Sequence, residues 1–324
     1  MRAKKVLALT MALALSVTAL IGCGDTSKDG NESDKITIGF ATKSSSSPFW
    51  VENIAGANQA AADLGINLEV IGPPVENDVS GQIAVLEDML TKEYDAIVVA
   101  PCGDVGVADV VNKAINAGMP VVAVDNQIAG AEITSLVATD NYAAGAMAAE
   151  YLAGEIGGKG KVIIVNGIIA QGSGKGRRDG FVDYMTENHP DVEVVEVTGD
   201  WDDSKAIAGF EAAYAANTDV VAGYAAWDGA TLQMHKVLAE NGRNDVVLCG
   251  FDCYDAAVQL IASGDSLFKA DIAQNPSNMG YKAVETAYKA LKGEEVESNI
   301  DTGTTLVTAE NVKEYAESMG VKLD

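Results

Sequence analysis

The chain has 324 residues, of which 48% are hydrophobic and 6% aromatic, and it carries a formal charge of −25. That composition belongs to an ordinary globular protein, and roughly 290 residues beyond the N-terminal leader exceed what one hydrophobic core organises, so two domains are expected. The acidic surplus repels nucleic acid and anionic lipid headgroups, and no basic run interrupts it, which excludes a nucleic-acid partner.

The leader comes first. Arg2, Lys4 and Lys5 precede an apolar run from Val6 to Ile21, and Leu20-Ile21-Gly22-Cys23 closes it. A basic start, a short apolar stretch and a small residue before Cys form a lipoprotein signal, so residues 1–22 read as the signal peptide and Cys23 as the lipidated first residue of the mature chain. The run is shorter than the roughly 20 apolar residues a spanning helix needs. Residues 23–34 are polar and aperiodic and read as a flexible tether. The expected address is extracytoplasmic, with a lipid anchor holding the protein to the outer face of the cell membrane, or within a periplasm where the host has two membranes.

From Lys35 onward, short β-branched runs alternate with amphipathic stretches. Strands are predicted at 36–42, 67–71, 96–100, 121–124, 161–166, 193–197, 220–225, 246–250 and 269–272. Helices are predicted at 48–64, 79–92, 107–117, 142–156, 178–187, 205–216, 230–240, 256–262 and 279–292. Near-continuous apolar strands separated by helices signal parallel sheets covered on both faces. The pattern gives two doubly wound α/β units in succession, the second beginning with the helix after Asp140-Asn141. Cys102, Cys249 and Cys253 are an odd number once Cys23 is set aside, and His189 and His235 stand apart, so neither a metal site nor a cofactor is expected.

In doubly wound sheets, ligands bind at the carboxyl ends of the strands, where loops and helix N-termini converge. All three tryptophans fall just after strands: Trp50, Trp201 and Trp227. An aromatic-lined cleft suits the C–H faces of sugars, and polar residues repeat the placement. Asp125-Asn126 ends the strand at 121–124, Asp252 ends 246–250, Gln274 ends 269–272, and Arg177 follows the Gly-rich loop 167–176. Asp125 and Asp252 supply hydroxyl acceptors and Arg177 a bidentate donor. Asp140, Asp202 and Asp228 read instead as helix N-caps.

An ordered set of landmarks runs along residues 35–324: Ser47-Pro48-Phe49-Trp50, Pro120 to Gln127 with Asp125-Asn126, Thr139-Asp140-Asn141, Arg177 to Phe181, Gly250-Phe251-Asp252 and Ala273-Gln274-Asn275-Pro276. This set resembles the periplasmic sugar-binding proteins of ABC transporters, in the group typified by ribose-binding protein. The resemblance implies two Rossmann-like lobes joined by a three-strand hinge, the type 1 periplasmic binding protein fold. It divides the chain into an N-terminal lobe of 35–139 plus 274–303 and a C-terminal lobe of 140–273 plus 304–324. It further implies that Phe49, Trp50 and Trp201 flank a sugar ring while Asp125, Arg177, Asp252 and Gln274 bind its hydroxyls. Three positions depart from ribose binders: Asn126 stands in place of Arg, Trp227 in place of Asn, and Ser47 in place of Asn. Two Asp against one Arg fit a neutral monosaccharide or polyol better than a phosphorylated or acidic sugar. The implied partner is an ABC transporter permease, met by a monomeric binding protein.

Other classes compare poorly. Gly167 to Gly176 lacks the Gly-Lys-Ser/Thr spacing of a phosphate loop, because Gly172 is followed by Ser173-Gly174. No nucleophile elbow, triad or dinucleotide fingerprint is present, so an enzyme is not expected. The alternative of a different class is a sensor subunit that presents a sugar or furanosyl signal to a membrane receptor or sensor kinase, which would use the same binding residues.

Overall fold

The computed structural model describes residues 35–73 and 77–323. The signal peptide, the tether and Cys23 lie outside the described residues. The first half of the fold is β1 (Thr37–Ala41), α1 (Pro48–Leu64), β2 (Asn67–Ile71), α2 (Val79–Thr91), β3 (Ala96–Val99), α3 (Ala108–Asn116), β4 (Val121–Val124) and β5 (Ser135–Ala138). The second is α4 (Asn141–Glu155), β6 (Gly160–Asn166), α5 (Gly172–Asn188), β7 (Val192–Thr198), α6 (Asp203–Ala216), β8 (Val220–Ala225), α7 (Asp228–Glu240), β9 (Val247–Phe251), α8 (Asp255–Ser263) and β10 (Phe268–Ala273). The chain then adds α9 (Pro276–Leu291) and β11 (Asn299–Asp301) beside the first half, and β12 (Thr305–Thr308) and α10 (Val312–Met319) beside the second.

The strands form two six-stranded sheets, ordered β11-β5-β4-β3-β1-β2 and β12-β10-β9-β8-β6-β7. Every pairing is parallel except β12 against β10. Successive side chains of a strand point to opposite faces, so continuous apolar runs need cover on both sides of each sheet. Ile38, Phe40, Val98 and Val122 face α1 and α9, whereas Ile97, Val99 and Val121 face α2 and α3. In the second sheet, Val162, Ile164 and Phe251 pack under α4 and α5, while Ile163, Val165 and Leu248 pack under α6 and α7. Cys102, Cys249 and Cys253 are buried, and no disulfide joins them among the described residues. No helix among the described residues is long and apolar enough to cross a membrane.

The chain passes between sheets three times, after β5, after β10 and between β11 and β12. The architecture is therefore the two-lobed, doubly wound α/β fold with a three-strand connection.

Two sequence expectations need correction. The helix expected at 178–187 begins at Gly172, so Gly172 to Gly176 are helical and not loop. Their glycines serve close approach: a Cβ on Gly174 would strike the Ile168 carbonyl, one on Gly180 the Tyr142 carbonyl, and one on Gly145 in α4 the Arg177 carbonyl. Asp140 and Asp202 do cap helices, accepting from the Ala143 and Lys205 amides, but Asp228 does not. It lies fully buried at the first turn of α7, and the residue at the cap position, Trp227, makes no side-chain cap.

Candidate functional site

The carboxyl ends of the strands of both sheets converge on a cavity of about 410 Å³, a size suited to a small ligand. Of the residues singled out from the sequence, Ser47, Phe49, Trp50, Asp125, Arg177, Trp201, Trp227, Asp252 and Gln274 line it. Asn126 is not on the wall. Its Nδ2 donates to Asp125 Oδ2 at 2.9 Å and its Oδ1 accepts the Ser173 N–H at 2.6 Å, so it links the end of β4 to the start of α5 across the cavity. Adjacency to Asp125 misplaced it: successive residues after a strand point in opposite directions.

Aromatic surfaces form two corners. Phe49 and Trp50, in the first turn of α1 behind Pro48, meet edge to face with centroids 4.9 Å apart. Trp201 and Trp227 meet likewise at 5.4 Å from the second sheet's loops. Each of the latter indoles is fixed by its N–H, Trp201 donating to Gln171 Oε1 and Trp227 to Asp203 Oδ1, both at 2.8 Å. Such amphipathic rings present a face to ligand while the polar edge is satisfied.

Between the corners stand four buried charges. Asp125 pairs with Lys43, Nζ to Oδ2 at 2.7 Å, and Lys43 also lies 5.6 Å from the Trp50 ring centroid. Arg177 lies 3.7 Å from Asp252 Oδ1 and stacks at 3.6 Å over the Phe251 ring. Its Nε donates to Asn141 Oδ1 and one terminal nitrogen to the Ala226 carbonyl, which fixes the guanidinium plane. Gln274 donates to Asp252 Oδ1 at 2.5 Å and accepts from Thr139 Oγ1 at 2.9 Å, joining two of the connecting segments. Burial pushes the Asp252 carboxyl up to about 6, against the pull of Arg177 and of hydrogen bonds from Gln274 and Tyr254.

The backbone is held in unusual conformations here. Asp125 (φ 69°), Trp201 (60°), Asp252 (105°) and Cys253 (62°) all occupy the left-handed region. Non-glycine residues adopt it at a cost the surrounding contacts must offset, and such positions gather at ligand sites.

Sequence reasoning missed Lys43, Tyr254 and Gln171, all on the wall. Lys43 and Tyr254 lie just beyond the ends of β1 at Ala41 and β9 at Phe251, the same strand-end rule that selected Asp125 and Asp252. Gln171 also bridges the halves, donating to the Cys102 carbonyl at 2.8 Å and to Asn77 Oδ1 at 2.7 Å. With Lys43 included, two buried cations face two buried carboxylates. No cluster of His, Cys, Asp or Glu with metal-binding geometry occurs among the described residues.

The model of the periplasmic binding protein domain matches residues 38–295. The ribose import binding protein of Escherichia coli (strain K12) is 30% identical over 307 residues, covering 95% of this chain and 99% of that protein. Among solved structures, an Agrobacterium radiobacter carbohydrate transporter solute binding protein in complex with D-arabinose superposes with a TM-score of 0.82 at 29% identity, covering 89% of this chain and 99% of that one. An Agrobacterium vitis ABC transporter solute binding protein bound with α-D-tagatopyranose gives 0.81 at 29% identity, covering 90% and 100%.

Proposed function

Because this chain belongs to the periplasmic binding protein family, among the sugar-binding proteins of ABC transporters, we propose that it captures a neutral monosaccharide or polyol between its two lobes and delivers it to a membrane permease. It is a binding protein and not an enzyme. The observation that carries the ligand class is the charge balance of the cavity: Lys43 and Arg177 against Asp125 and Asp252, all buried, between two aromatic corners. A phosphorylated or acidic sugar would leave a surplus of buried negative charge, whereas hydroxyls donate to the carboxylates and accept from the cations without changing the net charge. Relatives named for ribose and crystallised with D-arabinose or tagatopyranose support the same class.

In this reading Phe49, Trp50, Trp201 and Trp227 pack on the ring, and Ser47, Asp125, Arg177, Asp252 and Gln274 bind hydroxyls, with Lys43 added to them. The lobes divide as 35–139 plus 274–303 and 140–273 plus 304–324, and ligand favours the closed arrangement because it touches both. A lipid on Cys23 tethers the monomeric protein to the outer face of the cell membrane beside its permease. A Cys23→Ser variant is then expected in the culture medium, and mass spectrometry of the wild-type N-terminus should find the acyl chains.

The first test is a thermal-shift screen with D-ribose, D-allose, D-arabinose, D-tagatose, xylitol and myo-inositol, with tryptophan fluorescence read in parallel. Ligand at 100 times its Kd stabilises the fold by about 2.7 kcal/mol. For the sugar that binds, Asp252→Ala and Arg177→Ala should each weaken calorimetric affinity by about 2–5 kcal/mol, because each leaves a buried partner unsatisfied. A folded protein that ignores every neutral sugar would refute the ligand class.

A further inference from the structure

Behind the cavity wall lie two carboxyl groups that the binding site does not use. Asp228, the first residue of α7, and Asp271, within β10, are both fully buried. Asp228 Oδ2 accepts the Tyr254 N–H at 2.6 Å, and Asp271 Oδ1 accepts the Cys253 N–H at 3.2 Å. The remaining oxygens, Asp228 Oδ1 and Asp271 Oδ2, have no donor among the described residues. They converge on one point, because a Cβ added to Gly250 would collide with both. Glycine at 250 therefore leaves the room in which the two carboxyls meet.

Two ionised carboxylates cannot share such a space without a cation. Neither acid forms an ion pair with any described residue. The titratable groups facing the pair are Cys249 on β9, Asp252, Cys253 and Tyr254 on the loop after it, Tyr224 on β8, Tyr315 on α10 and Arg177 on α5. Of these only Arg177 is cationic, and it is engaged by Asn141, the Ala226 carbonyl and Asp252. Burial raises both acids, and the negative charge of Asp271 raises Asp228 further.

We propose that Asp228 and Asp271 share a proton across their two unpartnered oxygens, and that this acid pair is a positioning device that clamps the 252–254 loop by its backbone amides and so aims Asp252 into the cavity. The proton turns one carboxyl into a donor and leaves the outward oxygens free to hold the Cys253 and Tyr254 amides. Those amides belong to the stretch that contains the left-handed Asp252 and Cys253, which would otherwise relax. That Asp252 touches ligand rests on the function proposed above; the shared proton does not.

The test needs no ligand. A buried acid with a raised pKa contributes stability that is complete below the unfolded value near 4 and is lost as pH rises through the folded value. One retained proton therefore makes the folding equilibrium constant fall about tenfold per pH unit over that window. Asp252 ceases to contribute above about 6, and the histidines and thiols that also titrate between about pH 6.5 and 8.5 are common to wild type and variant, so the difference between their slopes in urea unfolding over that range isolates the pair. Wild type should lose stability steadily there. Asp271→Asn, whose amide replaces the shared proton with a permanent donor, should flatten that slope while keeping the Tyr254 amide protected from hydrogen exchange. Asp271→Ala leaves Asp228 buried without a partner, so it should keep its proton and the slope, while the Cys253 amide that Asp271 held loses its protection from hydrogen exchange.

Equal slopes in wild type and Asp271→Asn would overturn the proposal. Carboxyl carbon-13 titration of wild type provides a check that needs no variant: both resonances moving near pH 4 would sink the shared proton. A sugar screen without hits beside a positive result here would remove the proposed function and leave the pair standing.

Discussion

A carboxyl that is buried yet within 3.7 Å of a guanidinium is pulled in two directions, and for Asp252 burial prevails, with a value pushed up to about 6. Sugar hydroxyls donate best to the ionised form, so binding should favour proton release. Affinity for the cognate sugar is then expected to fall as pH drops through about 6, measured as Kd at pH 5, 6 and 7.5; a Kd unchanged over that range would take the Asp252 carboxylate out of the contact. Lys43 makes the complementary case. Removing it strands Asp125 as an uncompensated buried charge, so Lys43→Met should destabilise the fold by about 3–5 kcal/mol in urea unfolding. Adding Asp125→Asn should recover part of that loss. The strand-end rule brought Asp125, Asp252 and Gln274 into view because acids and amides after apolar strands stand out. It passed over Lys43 because lysine is ordinarily a surface residue, and only the Asp125 partner makes its burial tolerable.

Among the elements, α4 and α5 show how packing overrides local preference. Gly172, Gly174, Gly176 and Gly180 lie within α5, where each glycine costs about 1 kcal/mol against alanine in an exposed helix. The pattern therefore read as loop from 167 to 176. The close approach to α4 and to the Ile168 backbone offsets that cost, and it holds Arg177 on a helix whose backbone is pressed against Gly145. Gly145→Ala should push that backbone away, lowering stability by about 1–3 kcal/mol. It should also weaken sugar binding although residue 145 never touches the cavity; stability loss with wild-type affinity would break the link. The strands were legible where β-branched runs are continuous, as in Ala96–Val99 and Val121–Val124. Ser135–Ala138, Asn299–Asp301 and Thr305–Thr308 were not, because their partly polar sequences carry no continuous apolar run and are specified by the neighbour they pair with.

At the level of the molecule, the two sheets meet through side chains as well as through the connecting segments. Helix α5 has no side-chain cap of its own. Its first amides are instead met from across the cavity, Gly172 by Asp104 Oδ1 at 3.3 Å and Ser173 by Asn126 Oδ1 at 2.6 Å. In the closing motion proposed above, these bonds form only when the halves are together, so they add to the closure energy that the ligand provides. Asn126→Ala should weaken sugar binding about fivefold, the worth of one neutral hydrogen bond of about 1 kcal/mol, and raise the radius of gyration of the ligand-free protein in X-ray scattering. Unchanged scattering and affinity would make Asn126 a bystander.

The sequence by itself determined the two doubly wound units, the ends of the sheets at which a site forms, the aromatic and acidic residues placed there and the family. Each of these follows from local periodicity and from the rule that loops gather at strand ends, and both act over a few residues. Only the tertiary structure decided which charges pair, that Asn126 bridges the halves and that Asp228 is sealed against Asp271. Those outcomes join residues far apart in the chain, 82 positions between Lys43 and Asp125 and 47 between Asn126 and Ser173. Whether a polar side chain ends as a cap, a ligand contact or half of a buried pair depends on what the returning chain sets opposite it.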